Sequence, residues 1–158
     1  MFVLIRALTY ATLFIGFVLV FLPGRLLEWS GVSRPAAVGP IELVGAALVA
    51  AGGSLAVWCV LTFALAGRGT PAPFDPPRRL VASGPYRFVR NPMYIGAALA
   101  LGGAALFYRS WPLLLYMVAF LVILHGFVLL YEEPTLRRTF GEEYEDYRRR
   151  VRRWWPRF

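Results

Sequence analysis

Two adjacent carboxylates, Glu132 and Glu133, are the residues best placed to do chemistry in this 158-residue chain. They directly follow the uncharged apolar stretch 110–131 and precede Pro134. Consecutive residues on a helix point to different faces, so one carboxylate could turn inward toward a cationic group while the other meets water or an arginine. The alternative is that the pair simply ends an apolar helix at a boundary that tolerates charge. Their position leaves both interpretations open.

The cationic groups available to such carboxylates are all arginines, because none of the 17 basic residues is a lysine. This composition excludes Schiff-base and P-loop lysine chemistry. The run 148–153 contains five arginines and leads into Trp154 and Trp155, which is typical of a helix at a membrane interface. One of these arginines could instead bind a carboxylate or phosphate through two hydrogen bonds. Nucleic-acid binding is not expected, since acidic residues balance the cluster.

Other reactive residue types are scarce. The chain has one histidine, His125, and one cysteine, Cys59, so neither an internal disulfide nor a metal site is predicted. His125 lies within the last apolar stretch, where a hydrogen bond to a neighbouring helix and a proton-handling role both remain open. Cys59 is expected to pack inertly. Gly67 and Gly69 follow another apolar stretch, where glycine permits close approach of a bulky ligand.

Apolar segments must position these residues, since 58% of the chain is hydrophobic, above the share usual in soluble domains. A helix needs about 20 apolar residues to cross the hydrocarbon core. We predict an all-α fold, an integral membrane bundle of four transmembrane helices plus a cytoplasmic amphipathic C-terminal helix. The prediction is a single membrane domain, 1–158, with helices at about 2–22, 41–66, 93–108 and 111–133, a cytoplasmic loop at 67–92 and a tail helix at 134–155.

Arginines also set the predicted orientation. The segment 67–92 carries five arginines against one aspartate, and 132–158 carries eight against six acids. The positive-inside rule places both segments, and with them both termini, in the cytoplasm. Six prolines in 67–92 predict a rigid, extended loop. Apolar residues of the tail recur at spacings of three and four, which predicts one helix face: Leu136, Phe140, Tyr144, Tyr147, Val151 and Trp154.

Two ordered blocks of residues resemble a known family. The first is LVASGPYRFVRNPMY at 80–94, and the second begins with YEEP at 131–134. The second block continues with Phe140, Gly141, Tyr144, Tyr147, Val151, Arg153 and Pro156. The combination resembles the isoprenylcysteine carboxyl methyltransferase-like family and the related phospholipid methyltransferases, which are integral membrane methyltransferases. The resemblance covers about 67–158, and many members have histidine where this chain has Asn91.

The resemblance implies S-adenosyl-L-methionine as cofactor, bound on the cytoplasmic side between the third and fourth helices, the preceding loop and the tail. It implies catalytic roles for Arg90, Glu133 and Arg153, and no metal. The implied cofactor-binding residues are Gly67, Gly69, Tyr86, Asn91, Pro92, Tyr94, Glu132, Glu133, Tyr144 and Tyr147. Among the arginines, we expect Arg90 and Arg153 to face a ligand and the others to act mainly as anchors.

The expected function is therefore transfer of a methyl group from S-adenosyl-L-methionine to a lipophilic small molecule or lipid, at a carboxylate, amine or thiol. Membrane lipids are the expected partners, and no obligate protein partner is evident. The alternative is a non-enzymatic four-helix membrane scaffold or accessory subunit with a lipid-binding, arginine-rich tail. The all-arginine complement and the abundance of alanine and glycine indicate a GC-rich bacterial genome. Together with the four predicted helices, this predicts a multi-pass protein of the bacterial inner membrane.

Overall fold

The computed structural model describes residues 9, 13, 16–67 and 79–156, and the regular secondary structure of these residues is helical. In chain order the elements are a π-helical turn Gly16–Phe21, α1 (Leu22–Trp29), α2 (Pro40–Thr62), a π-helical turn Phe63–Gly67, a 3-10 turn Gly84–Arg87, α3 (Pro92–Phe107), α4 (Trp111–Phe127), a π-helical turn Val128–Glu132, α5 (Glu133–Phe140) and α6 (Glu142–Arg150). The predicted all-helical class is confirmed.

The three long helices each begin with a proline in the first turn: Pro40 in α2, Pro92 in α3 and Pro112 in α4. Proline is favoured there because its φ already suits a helix and the N–H it lacks would have no partner. The hydroxyl of Ser110 caps α4 by accepting a hydrogen bond from the N–H of Leu113 at 3.4 Å. The prolines therefore fix where each long helix starts, including α3 directly after residues 89–91.

Glycines bring α2 and α3 into backbone contact. A Cβ atom added to Gly45 would lie 2.7 Å from the carbonyl oxygen of Gly103, and one added to Gly96 would lie 2.9 Å from that of Gly52. The two glycines on each helix are seven residues apart, which is two turns, so they form one face of each helix. Small residues on both faces let the antiparallel backbones pack without intervening side chains. This glycine seam determines the register of α2 on α3.

The end of the bundle where α2 begins is held by a buried carboxylate. Glu42 is 2% exposed, and its Oε1 accepts a hydrogen bond from Nε of Arg109, in the turn between α3 and α4, at 2.7 Å. Its Oε2 accepts from the N–H of Gly39 at 2.9 Å. The same acidic residue therefore caps α2 and ties it to the α3–α4 turn. A separate hydrogen bond joins α4 to the π-helical turn Gly16–Phe21, where the hydroxyl of Tyr116 donates to the carbonyl of Val18 at 2.9 Å.

Two helical stretches are long and apolar enough to cross a membrane, Pro40–Ala66 with 27 residues and Trp111–Phe140 with 30, while Pro92–Phe107 is a shorter apolar helix. The helix predicted over about 2–22 lies largely outside the described residues, and its described part continues to Trp29. The four-span topology therefore stays a prediction.

The tail differs from the single helix predicted over 134–155. Helix α5 ends at Phe140, Gly141 has a φ of +53°, and α6 ends at Arg150. Glycine tolerates this backbone conformation because it lacks a Cβ atom, so the chain bends there. Five of the six apolar residues predicted to share a face still meet across the bend, where Tyr144, Tyr147 and Val151 pack with Leu136, Phe140 and also Leu80. The sixth, Trp154, is not part of this cluster.

Beyond α6 the chain turns back toward the start of α3. Val151 is extended, with φ −118° and ψ 126°, and Arg152 pairs with Val89 in a parallel β-bridge. We call residues 151–156 the C-terminal strap. The carbonyls of residues 152 and 153 accept hydrogen bonds from the N–H groups of residues 90 and 91. These bonds replace the intrahelical hydrogen bonds that a continuous tail helix would have formed.

Candidate functional site

Glu133 is the centre of a buried ion cluster. Its side chain is 8% exposed, and Oε1 accepts hydrogen bonds from Nη1 of Arg90 at 2.9 Å and from Nε of Arg153 at 2.7 Å. Oε2 accepts from Nη2 of Arg153 at 3.0 Å, which makes the Arg153 contact bidentate. Nη1 of Arg90 also donates to the hydroxyl of Tyr144 at 3.2 Å. Of the three residues expected to be catalytic, Arg90 and Arg153 therefore both contact Glu133 directly.

Glu132 has different surroundings although it is the neighbouring residue. The hydroxyl of Tyr94 donates to its Oε2 at 3.0 Å, and no arginine in the described part of the chain forms an ion pair with it. A carboxylate largely removed from water and without a directly paired cation is poorly stabilised, because the nearby charge of Arg90 compensates only part of the lost solvation. Glu132 therefore favours the arrival of a cationic group.

Arg90 carries unused donor capacity. Its Nε is buried and has no acceptor among the described residues, although Nη1 of the same guanidinium group contacts Glu133 and Tyr144. A buried donor without an acceptor costs about 1–3 kcal/mol. An anionic group bound at this guanidinium would recover part of that energy. An acidic and a basic group with open capacity therefore lie in the same site.

Three buried tyrosines, Tyr86, Tyr144 and Tyr147, lie near the ion cluster. The hydroxyl of Tyr147 donates to the carbonyl of Tyr86 at 2.6 Å. Tyr86 also packs edge to face against Phe63, with ring centroids 5.1 Å apart. Burial raises the pKa of Tyr86, Tyr144 and Tyr147 above the ordinary value of a phenol. All three hydroxyls therefore stay protonated at neutral pH and serve as hydrogen-bonding groups, not as bases.

Asn91 is occupied by the C-terminal strap. Its backbone N–H and its side-chain Nδ2 both donate to the carbonyl of Arg153, each at 3.3 Å. Pro92 follows as the first residue of α3. Of the two glycines implied by the resemblance, Gly67 ends the π-helical turn after α2, and Gly69 lies outside the described residues.

One contact near the site was not predicted from the sequence. The indole N–H of Trp154 donates to Nδ1 of His125 at 3.3 Å, so the histidine of α4 binds the strap. The position of Trp154 on the apolar face of the tail was the available signal, but spacing along the tail does not identify a partner 29 residues away. A π-helical turn, Val128–Glu132, connects His125 to the ion cluster, and such turns occur often at functional sites.

A family model for phospholipid methyltransferase matches residues 41–143. The chain belongs to the phospholipid methyltransferase family. Comparisons with curated proteins and with solved structures gave no match. The match confirms the predicted resemblance and identifies a membrane methyltransferase. It includes Arg90, Tyr94 and both adjacent glutamates, whereas Arg153 and the strap lie beyond it.

Proposed function

We propose that this family member is an S-adenosyl-L-methionine-dependent methyltransferase that acts within the membrane on a lipid or a lipophilic small molecule. The observation that carries the proposal is the contrast between the two glutamates. Glu133 is held by two arginines, whereas among the described residues Glu132 accepts a hydrogen bond only from the hydroxyl of Tyr94 and interacts electrostatically with Arg90, which has unused donor capacity. The site can therefore bind a molecule that carries a positive and a negative group close together.

The residues present fit the amino-acid end of S-adenosyl-L-methionine. Glu132 would bind the ammonium group, and Arg90 would bind the carboxylate through its unused donor capacity. When bound, the cofactor supplies a sulfonium that activates its methyl group. Tyr94 would orient Glu132 through its hydrogen bond, and the strap with Asn91 and Glu133 would hold Arg90 in place.

The surrounding helices favour the reaction in two ways. Methyl transfer from a sulfonium quenches a positive charge, so a site that excludes water favours the transition state. Alignment of donor and acceptor contributes most of the remaining rate. The acceptor would approach from the lipid side and present a carboxylate, an amine or a thiol, while the cofactor would enter from the cytoplasm.

The proposal is tested with purified protein in lipid nanodiscs. Calorimetry should detect binding of S-adenosyl-L-methionine, and labelled cofactor should transfer its methyl group to a component of a total membrane lipid extract. Mass spectrometry of the labelled product then identifies the acceptor and the methylated atom. Absence of both binding and transfer in folded protein would sink the proposal.

The contacts of the tail favour an enzyme over a scaffold with an arginine-rich lipid anchor. In a scaffold the tail arginines would be interchangeable. Here Arg153 binds Glu133, whereas Arg137 and Arg148 pair with Glu145 on the surface of the tail. We expect Arg153→Ala to abolish most activity and Arg150→Ala to have little effect on it, while both proteins remain in the membrane.

A further inference from the structure

The C-terminal strap is paired with the start of α3 by its backbone. The N–H of Arg90 donates to the carbonyl of Arg152 at 2.9 Å, and the N–H of Asn91 donates to that of Arg153 at 3.3 Å. The side chain of Asn91 adds a second hydrogen bond to the same carbonyl. The backbone at Arg152 and Arg153 is therefore held in place by α3 without any ligand.

The Arg153 side chain makes a bidentate contact with Glu133. Three of the roughly four acceptor positions of the Glu133 carboxylate are taken by guanidinium donors, two from Arg153 and one from Arg90. One negative charge thus faces two positive charges. A further cation approaching Glu133 would be repelled, so this carboxylate is unsuited to bind the ammonium group of a ligand.

Trp154 attaches the strap to α4. Its indole N–H donates to His125 on α4, and the two ring centroids are 5.9 Å apart. The strap therefore spans from the start of α3 to α4, with Arg153 directed between them at Glu133. These contacts place Arg153 where it can determine the position of Arg90 through the carboxylate that they share.

We propose that Arg153 is a positioning residue, which holds Glu133 and through it Arg90, so that Glu132 is the carboxylate left to bind a ligand's cation. This inference rests on the proposed function, because the ligand is taken to be the methyl donor. It differs from the role implied by the resemblance, in which Arg153 is catalytic and both glutamates contact the cofactor.

A double-mutant cycle distinguishes positioning from direct contact. Arg153→Ala, Glu133→Ala and the double variant are prepared in nanodiscs, and the Kd for S-adenosyl-L-methionine is measured by calorimetry at a temperature where all are folded. We expect Arg153→Ala to raise the Kd about tenfold in the natural background, a coupling typical of residues in contact. With Ala at position 133, the same change should alter the Kd less than about twofold.

Two further variants keep the experiment decisive. Arg150→Ala is the matched control, because Arg150 is exposed at the end of α6 and, among the described residues, its Nε donates to the carbonyl of Asp146 and not to the ion cluster. Its Kd should equal that of the natural protein. Arg153→Lys retains the charge but not the bidentate contact, so it should restore part of the lost affinity. If an alanine variant does not fold, the cycle is repeated with Arg153→Lys and Glu133→Gln, for which the same non-additivity is expected.

The outcomes separate the two proposals. If the natural protein binds the cofactor but Arg153→Ala lowers affinity equally in both backgrounds, Arg153 contacts the ligand directly and the positioning role is wrong. If the natural protein neither binds the cofactor nor transfers a methyl group, the proposed function fails and this inference fails with it. Binding by the natural protein together with a non-additive cycle supports both.

Discussion

Glu132 and Glu133 are consecutive residues, but their neighbours give them different properties. Glu133 forms ion pairs with two arginines, whereas Glu132 accepts a hydrogen bond from Tyr94 and forms no ion pair with the described residues. Removing the charge of Glu133 leaves buried cations without a partner, while removing that of Glu132 leaves none. The same chemical change at adjacent positions should therefore affect different measurements.

We expect Glu132→Gln to raise the Kd for S-adenosyl-L-methionine by about 10- to 100-fold, since a hydrogen bond to a charged group contributes roughly 1.5–3 kcal/mol. Its unfolding temperature should stay close to that of the natural protein. Glu133→Gln should instead destabilise the fold by about 3 kcal/mol, the lower end for a buried pair, because Arg153 is partly exposed. Calorimetry and thermal unfolding check the two effects. A Glu132→Gln protein with unaltered cofactor affinity would contradict the assignment.

Tyr147 provides a second prediction at this scale. Its buried hydroxyl donates to the carbonyl of Tyr86 at 2.6 Å, so Tyr147→Phe should leave that carbonyl unsatisfied and lower the free energy of unfolding by about 1–2 kcal/mol. Tyr131→Phe is the control, because Tyr131 is 46% exposed and its ring, not its hydroxyl, makes the contact with Phe127. Equal unfolding temperatures for the two variants would argue against a structural role for the Tyr147 hydroxyl.

At the scale of elements, the glycine seam determines how α2 packs on α3. A Cβ atom on Gly52 would meet the backbone of Gly96 and Ala100, whereas one on Gly53 would meet no atom within 4 Å. The two glycines are adjacent in one helix, so they have nearly the same helix propensity and depth. They form a matched pair for testing how closely the helices must approach.

Gly52→Ala should therefore separate α2 from α3 and destabilise the bundle by about 1–3 kcal/mol, the usual cost of overpacking. Gly53→Ala should be neutral or slightly stabilising, because alanine loses less backbone entropy than glycine in a helix. Thermal unfolding in detergent, together with the monodisperse fraction after purification, measures the difference. Similar behaviour of the two variants would show that the seam does not limit the packing.

The bounds predicted for the long helices rest on uninterrupted apolar length, and the structure has helices at Pro40–Thr62, Pro92–Phe107 and Trp111–Phe127. The family resemblance singled out Arg90, Glu133 and Arg153, whereas the residue pattern alone left open which tail arginine meets a carboxylate. The sequence could not predict the path of the tail. That path depends on the backbone conformation of Gly141 and on hydrogen bonds to residues 90 and 91, which are distant in the chain.

The sequence also could not predict which of the two glutamates pairs with the arginines. Helix geometry states only that Glu132 and Glu133 point in different directions. Which of them meets two arginines depends on where Arg153 returns after the bend at Gly141, 20 residues beyond Glu133. Arg90 and Arg153 were both expected to face a ligand, which stays a prediction, and the structure adds that both contact the same carboxylate, that of Glu133.

At the scale of the whole molecule, the predicted topology puts residues 30–39 outside and the tail inside the cell. Single cysteines at Ser33 and Thr139, both exposed, test this arrangement, and Cys59 is fully buried and should not react. In intact bacterial spheroplasts a membrane-impermeant maleimide should label Ser33→Cys at once and Thr139→Cys only after lysis. Labelling of both sites without lysis would require a different number of membrane crossings.

The return of the strap to the start of α3 also has a consequence for biosynthesis. Arg90 and Glu133 are synthesised before Arg153, and helices α2 and α3 can enter the bilayer before the strap is complete. During that interval Arg90 is the only one of the two arginines available to Glu133. The ion cluster is completed only when residues 151–154 arrive, so the ability to bind cofactor should be acquired after membrane insertion and not during it.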